Sequence, residues 1–328
     1  MKITLSDDGR DFVRRDWSKL VEADPSGTFF HTPGYLKLYW EEFGGDGKLL
    51  LSFAEQSNSI VGAAAFERAG STLRFLGGTE VTDYMGPVAS PDERDAVAKE
   101  LLATLASRDD WALADLRGMP EESPWLRSLQ EAAVAQGLWA QVEDIDVAPR
   151  IDLPGSFDEY LEGLPAKLRH ELRRKERKLA SDAGGYRVVY SNEVTLATDL
   201  NLFVQLHLSS EGPKGKFMQP GMEIFFRRLG EAFLPDDVFR LAFIESKGRR
   251  IAGAIGFQFR GTFYLYNSAY DHSWRALSPG MVLVGELIKE AIDGRCRVFD
   301  MLKGDLSYKY RFGAQPRKLM RLQISRRV

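Results

Sequence analysis

The chain has few of the residues that staple folds or hold metals. Cysteine occurs once, at Cys296, and histidine four times. A lone cysteine closes no internal disulfide, so a reducing compartment, the cytoplasm, is expected. There is no spaced Cys/His set, so no metal site is expected. There is no Gly-x-Ser-x-Gly elbow and no Walker loop, which removes serine hydrolases and P-loop NTPases. The longest apolar runs, such as Ala63-Ala64-Ala65-Phe66, fall far short of the roughly 18 residues that a membrane span needs. Met1 to Arg10 is polar and acidic and lacks the basic and apolar regions of a signal peptide, so neither membrane insertion nor export is expected.

What is present describes an ordinary globular chain. Its 328 residues suit two domains of roughly 100–200 residues each. Hydrophobic residues make up 44% and charged residues 28%, which excludes disorder and fibrous classes. The net charge of −3 is unevenly spread. Lys167 to Lys178 (KLRHELRRKERK) carries seven basic residues against Glu171 and Glu176, and Lys303 to Val328 carries eight against Asp305. Two basic zones on an acidic body suit either a focused anion site or two solvated surfaces.

The sequence repeats itself once. Phe30-His31-Thr32-Pro33-Gly34 and Phe217-Met218-Gln219-Pro220-Gly221 each precede a helical pattern. Phe53-Ala54-Glu55 leads into Ile60 to Phe66 as Phe243-Ile244-Glu245 leads into Ile251 to Phe257. Gly70 and Gly261 each open an apolar strand, and Ser90-Pro91 and Ser278-Pro279 each open a helix. Asp115 and Asp300 close the matching strands. The order is kept throughout and the offset drifts only between 185 and 191, which indicates a duplicated domain. Each half reads helix, three strands, helix, strand, giving an α/β fold with mixed sheets. In the second crossover helix, residues 281–292, Val282, Leu283, Leu287 and Ile288 form a sheet-facing stripe. The junction is placed between Asp146 and Leu153, giving domains 1–148 and 149–328.

Arg275 to Gly280 leads directly into that helix. A helix N-terminus offers free N–H groups and partial positive charge to a phosphate, Gly280 permits close approach, and Arg275 adds a cation. The plainer reading is a turn with Ser278 as N-cap and Pro279 at the first helical position. In the first half the matching loop carries Asp92 and Glu93, which repel a phosphate. The second half is therefore read as the catalytic one, and the first as a degenerate scaffold or acceptor platform.

A strand, an Arg-x-x-(Gly/Ser)-x-Gly loop and a helix resemble the coenzyme A pyrophosphate loop of the GNAT acetyltransferases. Phe157 to Leu161, Leu164 to Leu179, Tyr270-Asp271, Ser278 to Gly280, Phe299 to Gly304, Tyr308-Lys309 and, in the first half, Asp83-Tyr84 extend the resemblance. Together they are similar to the tandem GNAT proteins called BioF2-like or CelD-like, relatives of the Fem aminoacyltransferases of peptidoglycan synthesis. Ser278 stands where the general loop has Gly. The resemblance implies acyl-CoA as co-substrate, held by Arg275, Ser278, Gly280 and Met281, and an amine acceptor on a sugar, peptide or small metabolite.

Acyl transfer to an amine needs deprotonation of the acceptor, a polarised carbonyl and a proton for the leaving group, without a covalent enzyme intermediate. Asp300, at the end of the last crossover strand, could hold or deprotonate the acceptor, or could tie strand to loop through backbone N–H groups. Tyr308 could return a proton or be a core tyrosine. Lys309 could polarise a carbonyl or neutralise a phosphate. Arg169, Arg173 and Arg177 stand at i, i+4, i+8 beside an apolar face of Leu168, Leu172 and Leu179, an arrangement suited to phosphate or carboxylate recognition. Lys167, Arg169, Arg173, Tyr270, Asp83 and Tyr84 are the candidate substrate contacts, together with His207, although a lone histidine between leucines is more often a satisfied core residue. His272 has no evident partner, and Cys296 reads as incidental. Three functions compete: an acyl-CoA N-acyltransferase, a Fem-like transferase using aminoacyl-tRNA, and a non-catalytic module of envelope polysaccharide synthesis.

Overall fold

The computed structural model describes residues 1–78, 80–209, 218 and 220–326. The chain forms two compact units, Met1–Val147 together with Arg317–Val328, and Ala148–Pro316.

The first unit contains β1 (Lys2–Ser6), α1 (Asp11–Arg14), α2 (Ser18–Ala23), α3 (Pro33–Phe43), β2 (Lys48–Gln56), β3 (Ser59–Ala69), β4 (Thr72–Phe75), β5 (Val88–Ala89), α4 (Arg94–Ala106), β6 (Leu113–Pro120), α5 (Pro124–Ala135) and β7 (Trp139–Val147). Its sheet runs β1-β2-β3-β4-β6-β14-β7, with β5 on β3, where β14 is Lys318–Ser325. The β4–β6 pair is parallel. Helices α4 and α5 bury Val97, Leu101, Leu105, Trp125 and Leu129 in one core with Phe66, Phe75, Leu322 and Ile324 of the sheet.

The position of β14 corrects the expected division at 148/149. The last strand lies between β6 and β7, antiparallel to both. Leu319, Leu322 and Ile324 are fully buried there. Without β14 the facing edges of β6 and β7 would carry unpaired backbone groups. Its charges are spent in the same unit. Arg321 pairs with Asp115 at 2.5 Å and Glu143 at 2.7 Å, Lys318 with Asp144 at 2.6 Å and Arg317 with Glu122 at 3.4 Å. From Arg317 onward the basic tail is thus no part of the second half, and its ion pairs hold the first unit's sheet. Arg327 lies outside the described residues.

The second unit contains β8 (Arg150–Asp152), α6 (Phe157–Gly163), α7 (Ala166–Asp182), β9 (Arg187–Tyr190), α8 (Leu196–Leu208), α9 (Pro220–Phe233), β10 (Phe239–Ser246), β11 (Arg249–Phe259), β12 (Thr262–Tyr270), α10 (Pro279–Asp293) and β13 (Val298–Asp300). Its sheet runs β8-β13-β12-β11-β10-β9, with β12 and β13 parallel. The stripe expected on α10 is buried: Val282, Leu283, Leu287 and Ile288 all pack in the core.

The repeat is visible strand by strand. The β2–β3 ladder shifts register at Ala54/Glu55, and the β10–β11 ladder shifts at the matching Ile244/Glu245. Gly70 and Gly261 turn the chain at φ +59° and +75°, where a side chain would be strained. The parallel ladders start at Thr72↔Leu113 and Thr262↔Val298, so Asp115 and Asp300 stand at matching positions, two residues after the first paired residue of β6 and β13. Pro33 and Pro220 open α3 and α9. Phe217 and Gln219, also counted in the repeat, lie outside the described residues.

Candidate active site in the second unit

Strands β12 and β13 pair over three rungs, the last being Tyr264↔Asp300. Beyond it, Leu265 to Tyr270 continue beside β11 alone among the described residues. A bulge between Ile255 and Gly256 leaves Tyr266 out of the ladder. The parting strands leave an open edge of backbone donors and acceptors next to the start of α10, the kind of place where ligands lodge in α/β sheets.

The start of α10 is shaped by an uncommon backbone. Ser278 lies at the N-cap position in the left-handed region, φ +52°, and its hydroxyl makes no capping bond. This decides against the ordinary serine cap. An L-residue held in this conformation is strained, and glycine is the residue that fits it without cost. The Oγ instead accepts a hydrogen bond from Lys175 Nζ at 2.9 Å, and Lys178 Nζ donates to the Ala276 carbonyl at 3.1 Å. Pro279 has no N–H, while Met281 and Val282 donate to the Ser278 carbonyl. The Gly280 N–H sits in the first turn, where helices leave donors without intrahelical carbonyls. A Cβ on Gly280 would come within 3.3 Å of the Tyr270 ring, and that ring stacks on His272 at 4.9 Å. Arg275 is exposed.

Lys175 is the residue that sequence reasoning missed. Burial depresses its pKa, countered by Glu171 at 3.7 Å. The signal was available, because Leu168, Leu172, Lys175 and Leu179 follow i, i+4, i+7, i+11, so a lysine interrupts the apolar stripe of α7. The arginine row divides. Arg169 donates to the Leu161 and Glu162 carbonyls at 3.4 and 3.3 Å, tying α7 to the end of α6. Arg177 donates to the Arg173 carbonyl, while Lys167, Arg173 and Arg174 are exposed. Met281 lines a groove between α7 and α10 together with Leu172, Lys175 and Gly285. In the first unit the matching turn, Pro91–Glu93, keeps its two carboxylates, and Glu93 accepts from Gln56 at 3.3 Å.

At the end of β13, Asp300 and Lys309 are both buried, each only 2% exposed. Asp300 Oδ1 accepts the Leu302 N–H at 2.8 Å, which fixes Leu302 in the left-handed region at φ +56°. Lys309 Nζ donates to the Leu302 and Lys303 carbonyls at 2.7 and 2.8 Å. Of the two readings of Asp300, its tie from strand to loop is present. Lys309 is not a solvated lysine, because its ammonium closes the same turn. Tyr308 packs against the core, and burial pushes its hydroxyl up to about 12. His207 is buried, with Nε2 3.0 Å from Oδ1 of Asn267 on the open stretch of β12.

The two first-half candidates stand elsewhere. Tyr84 is fully buried in the first unit, with the Arg317 guanidinium 4.7 Å over its ring and Phe30 edge-on at 6.0 Å. It is unavailable to a substrate because an aromatic of this size is consumed by the core. Asp83 beside it is partly exposed.

Residues 166–310 match the family described as Acetyltransferase (GNAT) domain. No curated protein sequence matches significantly. Among solved structures, FemX superposes with a TM-score of 0.67 at 10% identity, covering 98% of this chain and 97% of FemX. L-PGS from Bacillus licheniformis gives 0.59 at 13% identity, covering 98% and 92%. A tandem GNAT protein from the clavulanic acid biosynthesis pathway gives 0.51 at 12% identity, covering 98% of both chains. No described helix is long and apolar enough to cross a membrane. The acetyltransferase (GNAT) match fills most of the second unit, and the chain with its two repeated α/β units shares the fold of these solved structures.

Proposed function

We propose that the protein transfers an acyl group from acyl-CoA to the amino group of a sugar, peptide or small metabolite, with the donor bound on the second unit. The observation that carries this reading is the start of α10. There a left-handed Ser278, the first-turn N–H of Gly280 and the Lys175 ammonium converge at one helix N-terminus. Arg275 is exposed three residues before Ser278, and Met281 begins the groove wall. A pyrophosphate would draw Lys175 from Ser278 and gain a charge-assisted bond. The open edge of β12 would hold the donor's amide-bearing arm by backbone hydrogen bonds.

In the reaction the amine nitrogen bonds to the thioester carbon, the carbon–sulfur bond breaks, the amine gives up a proton to solvent, and the thiolate gains one from a donor that solvent then reprotonates. Tyr308, kept protonated by burial, supplies that proton. Asp300 and Lys309 act as positioning residues, because together they set the turn that closes the cleft behind β13. Tyr270 and His207, through Asn267, shape the acceptor's side of β12.

A second reading rests on the exposed Lys167, Arg173 and Arg174 of α7. With the Fem-like resemblance, they suit an aminoacyl-tRNA donor whose phosphates meet the helix. Titration of coenzyme A and acetyl-CoA by calorimetry into the full chain and into an Arg275→Ala/Gly280→Asp variant separates the two. Micromolar binding lost in the variant supports the acyl-CoA reading. No binding by the wild-type chain refutes it and leaves aminoacyl-tRNA, whose affinity should fall steeply with salt.

A further inference from the structure

The first unit holds a half-open cavity of about 300 Å³ that acyl transfer on the second unit leaves unused. The volume lies at the lower end of small-molecule sites. Strands β4 and β6 pair at only two rungs and then part, as β12 and β13 do, and the cavity lies where they separate. The duplicated fold therefore keeps a cleft in both halves. The acids at Asp92 and Glu93 deny the first one a phosphate at its helix.

The charges that line it are not equivalent. Asp115 is already held by Arg117 at 3.1 Å and Arg321 at 2.5 Å. Glu67 and Arg74 are direct cross-strand neighbours on β3 and β4. Neither closes an ion pair or a side-chain hydrogen bond with any described residue. Burial raises the pKa of the Glu67 carboxyl, and Arg74 only partly offsets it. A partly desolvated carboxylate and an exposed guanidinium thus line one space without joining across it, an arrangement that a ligand bearing both charges would satisfy. Gly78 also lines it, at φ +61°, where a Cβ would come within 2.5 Å of the Tyr39 hydroxyl. Phe75 and Met85 supply an apolar side.

We propose that this cavity binds a small zwitterion, an α-amino acid or a dipeptide, with its ammonium on Glu67 and its carboxylate on Arg74. The site goes beyond donor binding and does not depend on it. The test uses the full chain and ligand-observed NMR with L-alanine and L-alanyl-L-alanine, beside N-acetyl-L-alanine and L-alanine amide, which each lack one charge. The zwitterions should bind about tenfold or more tighter than either derivative, the scale of one charge-assisted hydrogen bond. Glu67→Gln should erase the preference over N-acetyl-L-alanine alone, and Arg74→Gln the preference over L-alanine amide alone. This crossed pattern cannot come from misfolding. Absence of zwitterion binding, equal binding of all four probes, or unchanged preferences in both variants each overturns the site. Coenzyme A titrated into the same samples reports on the second unit, so either proposal can fail without the other.

Discussion

Replacing Leu322 by alanine should destabilise the first unit and spare the second. Leu322 is completely buried and pairs with Leu116 on one side and Val142 on the other, at the centre of β14. Its side chain packs in the core that α4 and α5 cover. Truncating a leucine at such a site costs about 2–5 kcal/mol, because lost transfer energy and an unfilled cavity add. A domain commonly holds only about 5–15 kcal/mol in all, so local opening should rise by well over tenfold. Hydrogen exchange read by mass spectrometry tests this directly. Amides of β6 and β7 should lose protection, while those of β10 to β13 keep theirs. Loss of protection in β12 and β13 with β6 and β7 unchanged would refute the assignment of the last strand to the first unit.

Other outcomes follow from single residues. Lys175→Ala should weaken coenzyme A about tenfold in calorimetry while leaving thermal unfolding almost unmoved, since the residue's tie to the turn is one hydrogen bond to Ser278. An unchanged affinity would remove Lys175 from the donor site. Lys309→Met should cost about 1–3 kcal/mol in urea unfolding, because the Leu302 and Lys303 carbonyls lose their buried donor. A neutral effect would mean that the turn closes without it. His31 is buried and accepts the Thr28 N–H on Nδ1, and burial lowers its pKa from 6.5 to about 4. The unfolded chain takes up this proton as pH falls below 6.5 and the folded chain does not. Stability present above pH 6.5 is therefore lost toward pH 4, by up to about 3 kcal/mol. His31→Gln should flatten that part of the stability–pH curve, and an unaltered slope would exclude His31 as its source.

Much of the architecture was legible because it is local. Helical spacing on α10 named Val282, Leu283, Leu287 and Ile288 as its buried face, and they are buried. The repeat was legible in order, since a Phe-x-Glu segment, a glycine turn and a strand-ending aspartate recur, while the matching register shifts after Ala54 and Ile244 emerged only in the folded sheets. The candidate site was legible only in part. Ser278 and Gly280 announced the turn, but Lys175, in a basic helix roughly a hundred residues earlier, reaches it only through packing of α7 on α10. Asp300 and Lys309 were recognised as special, yet their bonds to Leu302 depend on a left-handed turn that no spacing rule contains. Tyr84 looked like a ligand contact beside Asp83 because exposure cannot be read from residue type alone.

The amino-acid sequence alone determined the two-fold repetition, the α/β class, the amphipathic faces and the difference in charge between the two matching helix starts. These follow from periodicity, glycine conformations and charge at fixed places along the chain. Only the tertiary structure decided that β14 completes the first unit, that Lys175 faces Ser278, and that Glu67 and Arg74 share a cavity without meeting across it. Each of these joins residues distant along the chain or depends on the space between strands. Which edge lacks a partner, and which charge lacks a counter-ion, is settled only when the whole set of strands and helices has packed.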